Sequence, residues 1–333
     1  MEIFKAGQIH NLTLRNKIMM APMCMYESDA SGVVKPFHMA HYVARGYGGV
    51  GLVIQEATAV LKNGRISAND LGIWADEQVE GLKNLVSFVH TSGAKMGIQL
   101  GHAGRKCGVG NERIVAPSAL AFSERYATPV PLDTTEIELI IKAFGDAARR
   151  AIVAGYDYIE VHAAHGYLLN QFLSPLTNKR TDDYGGSLTN RVRFLKEILL
   201  EIRQYWSGPL AVRVSAEEYH EDGHHPIDTV KVLEEVRDLI DIVNVSSGGV
   251  VPVVPPVYPG YQIPFAKVIK EAGFKVIGGG LLEGVPMMNQ LLKEKQVDFI
   301  YLGRELLLNP YFVIKEAKKI DHEQALNAYK RGF

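Results

Sequence analysis

Residues Asp157 to Phe172 read DYIEVHAAHGYLLNQF, in which an apolar-rich run carrying Tyr158, Ile159 and Val161 leads into His162, His165 and Tyr167. Three kinds of chemistry compete for this trio at a strand end. A metal would want three or four nitrogen, sulfur or carboxylate ligands at fixed distances, and HxxH on a strand does not bring both rings to one ion as HExxH on a helix does. Core histidines would only satisfy neighbouring backbone groups. A polar clamp for an organic substrate would use the imidazoles as donors and the phenol as a proton source.

Other polar residues close neighbouring apolar runs. Cys24 ends the first, with Tyr26 just beyond; Glu56, Ala57 and Thr58 end the second; Gln99 and His102 the third. Arg213 lies in the fifth, Gly278, Gly279 and Gly280 follow the seventh, and Gly303 and Arg304 the eighth. Gln99 both donates and accepts, Arg213 favours negative charge on a ring, and Cys24 is a soft, weak donor. That set suits a flat heteroaromatic ring better than an ion. Glycine-rich backbone beside an arginine suits a phosphate, whose oxygens take backbone N–H groups and a bidentate cation. The glycines also admit a plainer role, relieving crowding at a rim.

These residues need a frame that collects strand ends on one face. Eight short β-branched runs supply it: residues 17–23, 49–57, 95–102, 157–165, 210–216, 241–248, 275–280 and 299–305. Segments of helical periodicity lie between them, including DEQVEGLKNLVSFVHTSG, EIELIIKAFGDAARRAIVAG, NRVRFLKEILLEIRQYW and DTVKVLEEVRDLI. Eight strands with helical crossovers predict an α/β fold closed as a (β/α)8 TIM barrel over residues 1–333, one domain, with chemistry at the C-terminal strand ends. A doubly wound open sheet would call for GxGxxG after the first strand, and APMCMYESDASG has none. IFKAGQIHNLTLRNK predicts an N-terminal hairpin plugging the barrel. Long loops after strands three and six, the former proline-rich and lid-like, are expected to border the active site.

Composition narrows the partners. The 333 residues carry 36 basic and 37 acidic side chains, a formal charge of −1, without long like-charge runs. No electrostatic footprint for nucleic acid or an anionic membrane results, so small-molecule partners are expected. Two cysteines, Cys24 and Cys107, are too few for a disulfide scaffold or a four-thiolate cluster and suit a reducing cytoplasm. The first residues lack the basic flank and apolar run of a signal peptide, and no window approaches the ~18 apolar residues of a membrane span.

The motifs APMCMY, YGGVGLVIQEATAV, GIQLGHAGRK, IVAPSAL, EVHAAHGYLLNQFLSP, TNKRTDDYGGSLTNRVRFLKEI and FIYLGRELLLNP together resemble the Old Yellow Enzyme family of FMN-dependent ene-reductases. Within it, the chain is similar to the thermophilic-like NADPH dehydrogenases over essentially its whole length. The resemblance implies non-covalent FMN held by Ala21, Pro22, Met23, Cys24, Ala57, Gln99, Arg213, Gly278, Gly279, Gly280, Gly303 and Arg304, with NADPH as electron donor. It implies that His162 and His165 hold the oxygen of an activated alkene, that Tyr167 donates the proton, that Tyr26 faces substrate, and that Cys24 tunes the flavin in place of a threonine. It also implies a homodimer or homotetramer in which the tail, residues 321–333, lies at an interface. There Arg331 reaches the partner's active site, with Tyr329 and Phe333 as anchors.

Rivals sharing the barrel and flavin fit less well. Dienoyl-CoA-type reductases add a second nucleotide-binding domain and a cysteine cluster, a tRNA dihydrouridine synthase would need a basic surface, and an aldolase would need a strand-end lysine. No such lysine is present. Cys107 beside Lys106 and the lid segment TPVPLD are the main local departures from the family pattern.

Overall fold

The computed structural model of the protein describes residues 1–320, 324, 326 and 327–332. Eight parallel strands close a barrel in chain order: β3 (Ile18–Met20), β4 (Leu52–Ala59), β5 (Lys95–Gly101), β8 (Tyr158–Ala163), β9 (Leu210–Ser215), β10 (Ile242–Ser246), β11 (Val276–Gly278) and β12 (Phe299–Leu302). Alternation along each strand sends one set of side chains inward and the other onto the helices. The inner set is apolar at the bottom, where Met19, Leu52, Ile54, Tyr158, Ala211, Ile242, Ile277 and Phe299 form one buried cluster. The predicted hairpin is present. β1 (Gly7–Ile9) pairs antiparallel with β2 (Leu12–Leu14) and buries Ile9 and Leu14 under that cluster, sealing the N-terminal end.

The helical periodicities become an outer ring: α1 (Pro36–Tyr47), α2 (Val79–Thr91), α3 (Thr134–Ala154), α5 (Leu188–Arg203), α6 (Pro226–Glu234), α7 (Ile263–Glu271) and α8 (Gly284–Lys293). α3 shows why the sequence is decisive locally. Asp133 accepts the Glu136 N–H while Glu136 returns to the Asp133 N–H, and Gly155 at φ +87° ends the helix in the left-handed region. The helix expected over residues 228–240 instead starts at Pro226 and stops at Glu234. Val236 leaves helical geometry and is buried, followed by a 3-10 turn over Arg237–Leu239.

Most expected strands overrun the observed ones at their C-terminal ends. Ala21–Met23, Gly280 and Gly303 leave the ladder because there the chain turns to line a cavity, and Gly279 leaves it with Gly280. β4 does the reverse, continuing to Ala59 through a bulge between Gln55 and Ala57. The lid after β5 contains two short parallel strands, β6 (Val115–Ala116) and β7 (Val130–Pro131). Short helices α4 (Leu168–Leu173), α9 (Arg304–Leu308) and α10 (Phe312–Lys318) had no periodic signal of their own.

Candidate active site

Above the apolar floor the inner residues turn polar. Glu160 is fully buried and accepts hydrogen bonds from Gln99 Nε2 at 2.7 Å, Asn244 Nδ2 at 2.8 Å and Tyr158 Oη at 3.2 Å. Burial pushes its carboxyl up, partly offset by the Arg213 charge. Because the Gln99 amide nitrogen is spent on Glu160, its carbonyl oxygen is left to accept. Arg213 is 6% exposed; its Nη1 donates to Pro22 O at 3.4 Å, its guanidinium lies 5.5 Å from the Tyr301 ring centroid, and its Nε has no partner. Glu160, Asn244 and Tyr158 escaped the sequence reading. The signal was an acid in the middle of a buried run, two residues before His162 and so on the same face.

A cavity of about 570 Å³ opens above this layer. Ala21, Pro22, Met23, Arg213, Gly280, Gly303 and Arg304, named in the sequence for a cofactor, line it together with His165, named for the substrate. Ala57, His162 and Tyr167 line a small cavity beside it. Cys24 and Gln99 stand next to these walls without lining either cavity, and Tyr26, 45% exposed, lines neither.

The glycine assignment narrows. A Cβ on Gly278 would lie 2.5 Å from Val297, and one on Gly279 would lie 2.4 Å from the Tyr301 ring. Their missing side chains are thus required by packing, which is the plainer of the two roles, and of the three only Gly280, at φ +99°, borders the cavity. Glu283 and Glu305 share the wall with Arg304, so this rim is not uniformly basic.

The trio that opened the sequence reading is brought together. The His162 and His165 rings meet edge to face at 5.1 Å, and His162 and Tyr167 at 5.0 Å. His162 Nδ1 accepts the Ala164 N–H at 3.3 Å, which places the ring proton on Nε2. His165 Nε2 is tied to Ser246 Oγ at 2.7 Å. Burial, with Arg213 and Lys106 nearby, holds both imidazoles neutral well below the usual histidine range. Burial also pushes the Tyr167 phenol up, so it keeps its proton. His165 itself is left-handed, at φ +58°. Among the described residues no group of three His, Cys, Asp or Glu side chains is placed to hold a metal ion.

Cys24 is a neutral thiol. Burial comes first and the Asp70 and Glu56 charges next in raising it, while a hydrogen bond with Tyr26 opposes them. His102 lines the same small cavity as His162 and Tyr167; its Nδ1 accepts the Gly104 N–H at 3.1 Å, its Nε2 has no partner, and burial lowers it to about 4. Lys106, noted in the sequence only for its neighbour Cys107, donates to two backbone carbonyls beside the trio. Arg331 is exposed and lies outside the cavity of its own chain. Phe333 and residues 321–323 lie outside the described residues.

A closed parallel barrel with a polar inner layer, an orphaned arginine Nε and a neighbouring clamp of neutral donors defines a site for a planar, hydrogen-bonding cofactor. The chain belongs to the NADH:flavin oxidoreductase / NADH oxidase family, whose model matches residues 2–323. It is an FMN-dependent oxidoreductase. It is 51% identical over 322 residues to an NADPH dehydrogenase of Clostridium acetobutylicum, covering 96% of this chain and 95% of that one. It is 46% identical to an NADPH dehydrogenase of Bacillus subtilis, covering 100% of this chain and 99% of that one. Among solved structures it is similar to morphinone reductase, with a TM-score of 0.82 and 27% identity over 96% of this chain and 90% of that one. A 2-naphthoyl-CoA reductase complex gives a TM-score of 0.91 and 26% identity over 96% of this chain, which spans 52% of that longer chain.

The residues present fit FMN. Gln99 Oε1, Arg213 Nε and Asn244 Oδ1 are unspent buried polar groups, suited to the hydrogen-bonding edge of a flavin ring. Gly280, Gly303 and Arg304 leave backbone and a cation at the far wall for a phosphate.

Proposed function

We propose that the protein is an ene-reductase that uses NADPH and FMN to reduce the C=C bond of α,β-unsaturated carbonyl or nitro compounds. The observation that carries it is the contact of His162 with both His165 and Tyr167 beside the cavity, with the two imidazoles neutral and the phenol protonated. Bound FMN supplies the hydride chemistry. His162 and His165 direct N–H groups at the substrate's carbonyl or nitro oxygen, where negative charge gathers during reduction; preorganised donors stabilise that charge as an oxyanion hole does. Tyr167 delivers a proton to the α-carbon. Arg213 would hold the ring edge on which electrons accumulate, and Cys24, as a neutral thiol, would tune and pack without acting as a nucleophile. Tyr26 borders the substrate from the mouth.

Tyr167→Phe separates the roles. Reduction of the flavin by NADPH should stay nearly intact, while reoxidation by cyclohexenone slows about 10²–10⁴-fold, the range for a missing general acid. Equal loss in both half-reactions would make Tyr167 a structural residue.

We also propose a homodimer, or a tetramer built from such dimers, in which Arg331 completes the partner's cavity. Its support is the family resemblance together with the exposure of Arg331 away from its own site.

A further inference from the structure

Glu56 is 1% exposed, and its carboxylate gathers donors from two directions. Oε2 accepts the Met25 N–H at 2.8 Å, and the carboxylate also takes the Tyr26 N–H. Oε1 accepts the Tyr42 hydroxyl of α1 at 3.0 Å; the same hydroxyl receives the Glu56 N–H at 3.0 Å, and His38 Nε2 stands 3.6 Å away. The bulge explains why an acid at this position looks outward. Leu52 and Ile54 face the barrel interior, so strict alternation would send residue 56 inside; the extra residue resets the pattern, putting Ala57 beside Gln99 and freeing Glu56 to turn toward α1 and the loop after β3.

That loop is strained where it matters. Tyr26 has φ +57°, a left-handed conformation that a bulky side chain adopts only when its surroundings impose it, and its hydroxyl meets the Cys24 thiol. Taking the roles proposed above for Cys24 and Tyr26 as the basis, we infer that Glu56 is a positioning residue. Through the Met25 and Tyr26 N–H groups it fixes the turn that sets Cys24 and Tyr26 against the cofactor and substrate. Burial raises its pKa to about 7, so the site bears a destabilised carboxylate that apolar packing alone would not require.

The test uses the FMN-bound protein in a Cys107→Ala background, where Cys24 is the sole thiol. Glu56→Gln keeps the shape but turns an NH₂ donor toward a backbone N–H or the Tyr42 hydroxyl, removing about one buried hydrogen bond, worth roughly tenfold in an equilibrium. Alkylation of Cys24 by iodoacetamide should accelerate about five- to tenfold as the turn loosens. KM for cyclohexenone should rise about tenfold, more than the rate of flavin reduction by NADPH changes. Tyr42→Phe, which withdraws a donor to Glu56 without touching the turn, should give smaller changes in the same direction and add little on top of Glu56→Gln. Wild-type alkylation and KM in either variant, with FMN bound, overturn the inference; if Glu56→Gln fails to fold, Tyr42→Phe decides. A wild-type protein that does not reduce enones would sink the proposed activity instead, and the alkylation rates would still judge Glu56.

Discussion

Lys106 Nζ donates to His165 O at 2.7 Å and to Gly249 O at 2.6 Å, clamping the turn after β8 to the loop after β10. The two backbones are already in close approach: a Cβ on Gly166 would lie 2.1 Å from Gly249 O, and one on Gly249 would lie 2.7 Å from the His165 Cα. No side chain could hold this junction from within. The ammonium also lies 4.0 Å from the Phe122 ring centroid and 5.5 Å from that of Tyr167. Burial, then the neighbouring Arg105, lowers it to about 8, and Arg105 itself donates to Val250 O on the same loop.

Lys106→Met therefore leaves two part-buried carbonyls without their donor next to a left-handed histidine, a cost of about 0.5–1.5 kcal/mol for each. The expected result is a lower Tm and a cyclohexenone KM raised about tenfold, with FMN still bound, because no cofactor-facing group is lost. Unchanged KM in a protein of lowered Tm would confine Lys106 to stability.

Arg304→Ala should weaken FMN retention, since a phosphate dianion loses its charge-assisted partner, an interaction of about 1.5–3 kcal/mol and so roughly 10–100-fold in Kd. Because Gly278 and Gly279 are explained by packing, substitution there should lower stability before affinity, whereas Gly280, at φ +99° on the cavity wall, should report on FMN. Fluorescence titration of the apoprotein measures this. Equal FMN affinity in wild type and Arg304→Ala would remove the phosphate assignment.

Barrel, hairpin and the His162–His165–Tyr167 set were legible because each rests on a local pattern: alternation, periodicity, or polar residues closing apolar runs. What stayed hidden depends on pairing across the fold. Glu160 acts by accepting from Gln99 on the neighbouring strand and Asn244 two strands away, and the β4 bulge that turns Glu56 outward leaves no mark in QEATAV. Lys106 reaches carbonyls 59 and 143 positions away, a relationship no spacing rule can express.

Acid should destabilise the fold through its buried imidazoles. Burial lowers His38, His102 and His224 to about 4 and His41 to about 3, and His162 and His165 move the same way. Folded pKa values below the unfolded ~6.5 mean that the unfolded chain takes up protons first, so their contribution is complete above ~6.5 and is lost as pH falls toward 4. Glu56, Glu160, Glu218 and Asp70 are raised and act with the opposite sign, gaining as pH falls, but are fewer. Tm should accordingly drop between pH 7 and 5, and His224→Gln should flatten the drop. A Tm that rises over this interval would contradict the balance.

The tail poses the last question, because Arg331 belongs to a segment that its own barrel carries away from its own site. Tyr329 packs edge to face on Tyr311 at 5.8 Å and on Tyr47 at 6.3 Å. Tyr47 closes α1 just before β4 begins, at the N-terminal end of the barrel, opposite the cavity. Beside it a groove lined by Met39, Val43, Phe88 and Tyr329 exposes apolar surface, with Phe88 54% exposed. A second copy seated against this face would cover that surface and bring an exposed arginine toward a neighbouring mouth, where a negatively charged substrate oxygen gains from a cation. Removing residues 329–333 should then weaken association and lower activity together, seen by sedimentation and by turnover in the same preparation. Arg331→Ala alone should leave the assembly intact and raise the enone KM about tenfold, an effect carried by one charge-assisted contact. A protein that stays monomeric in dilute solution and keeps full activity without these residues would deprive the tail of any part in catalysis.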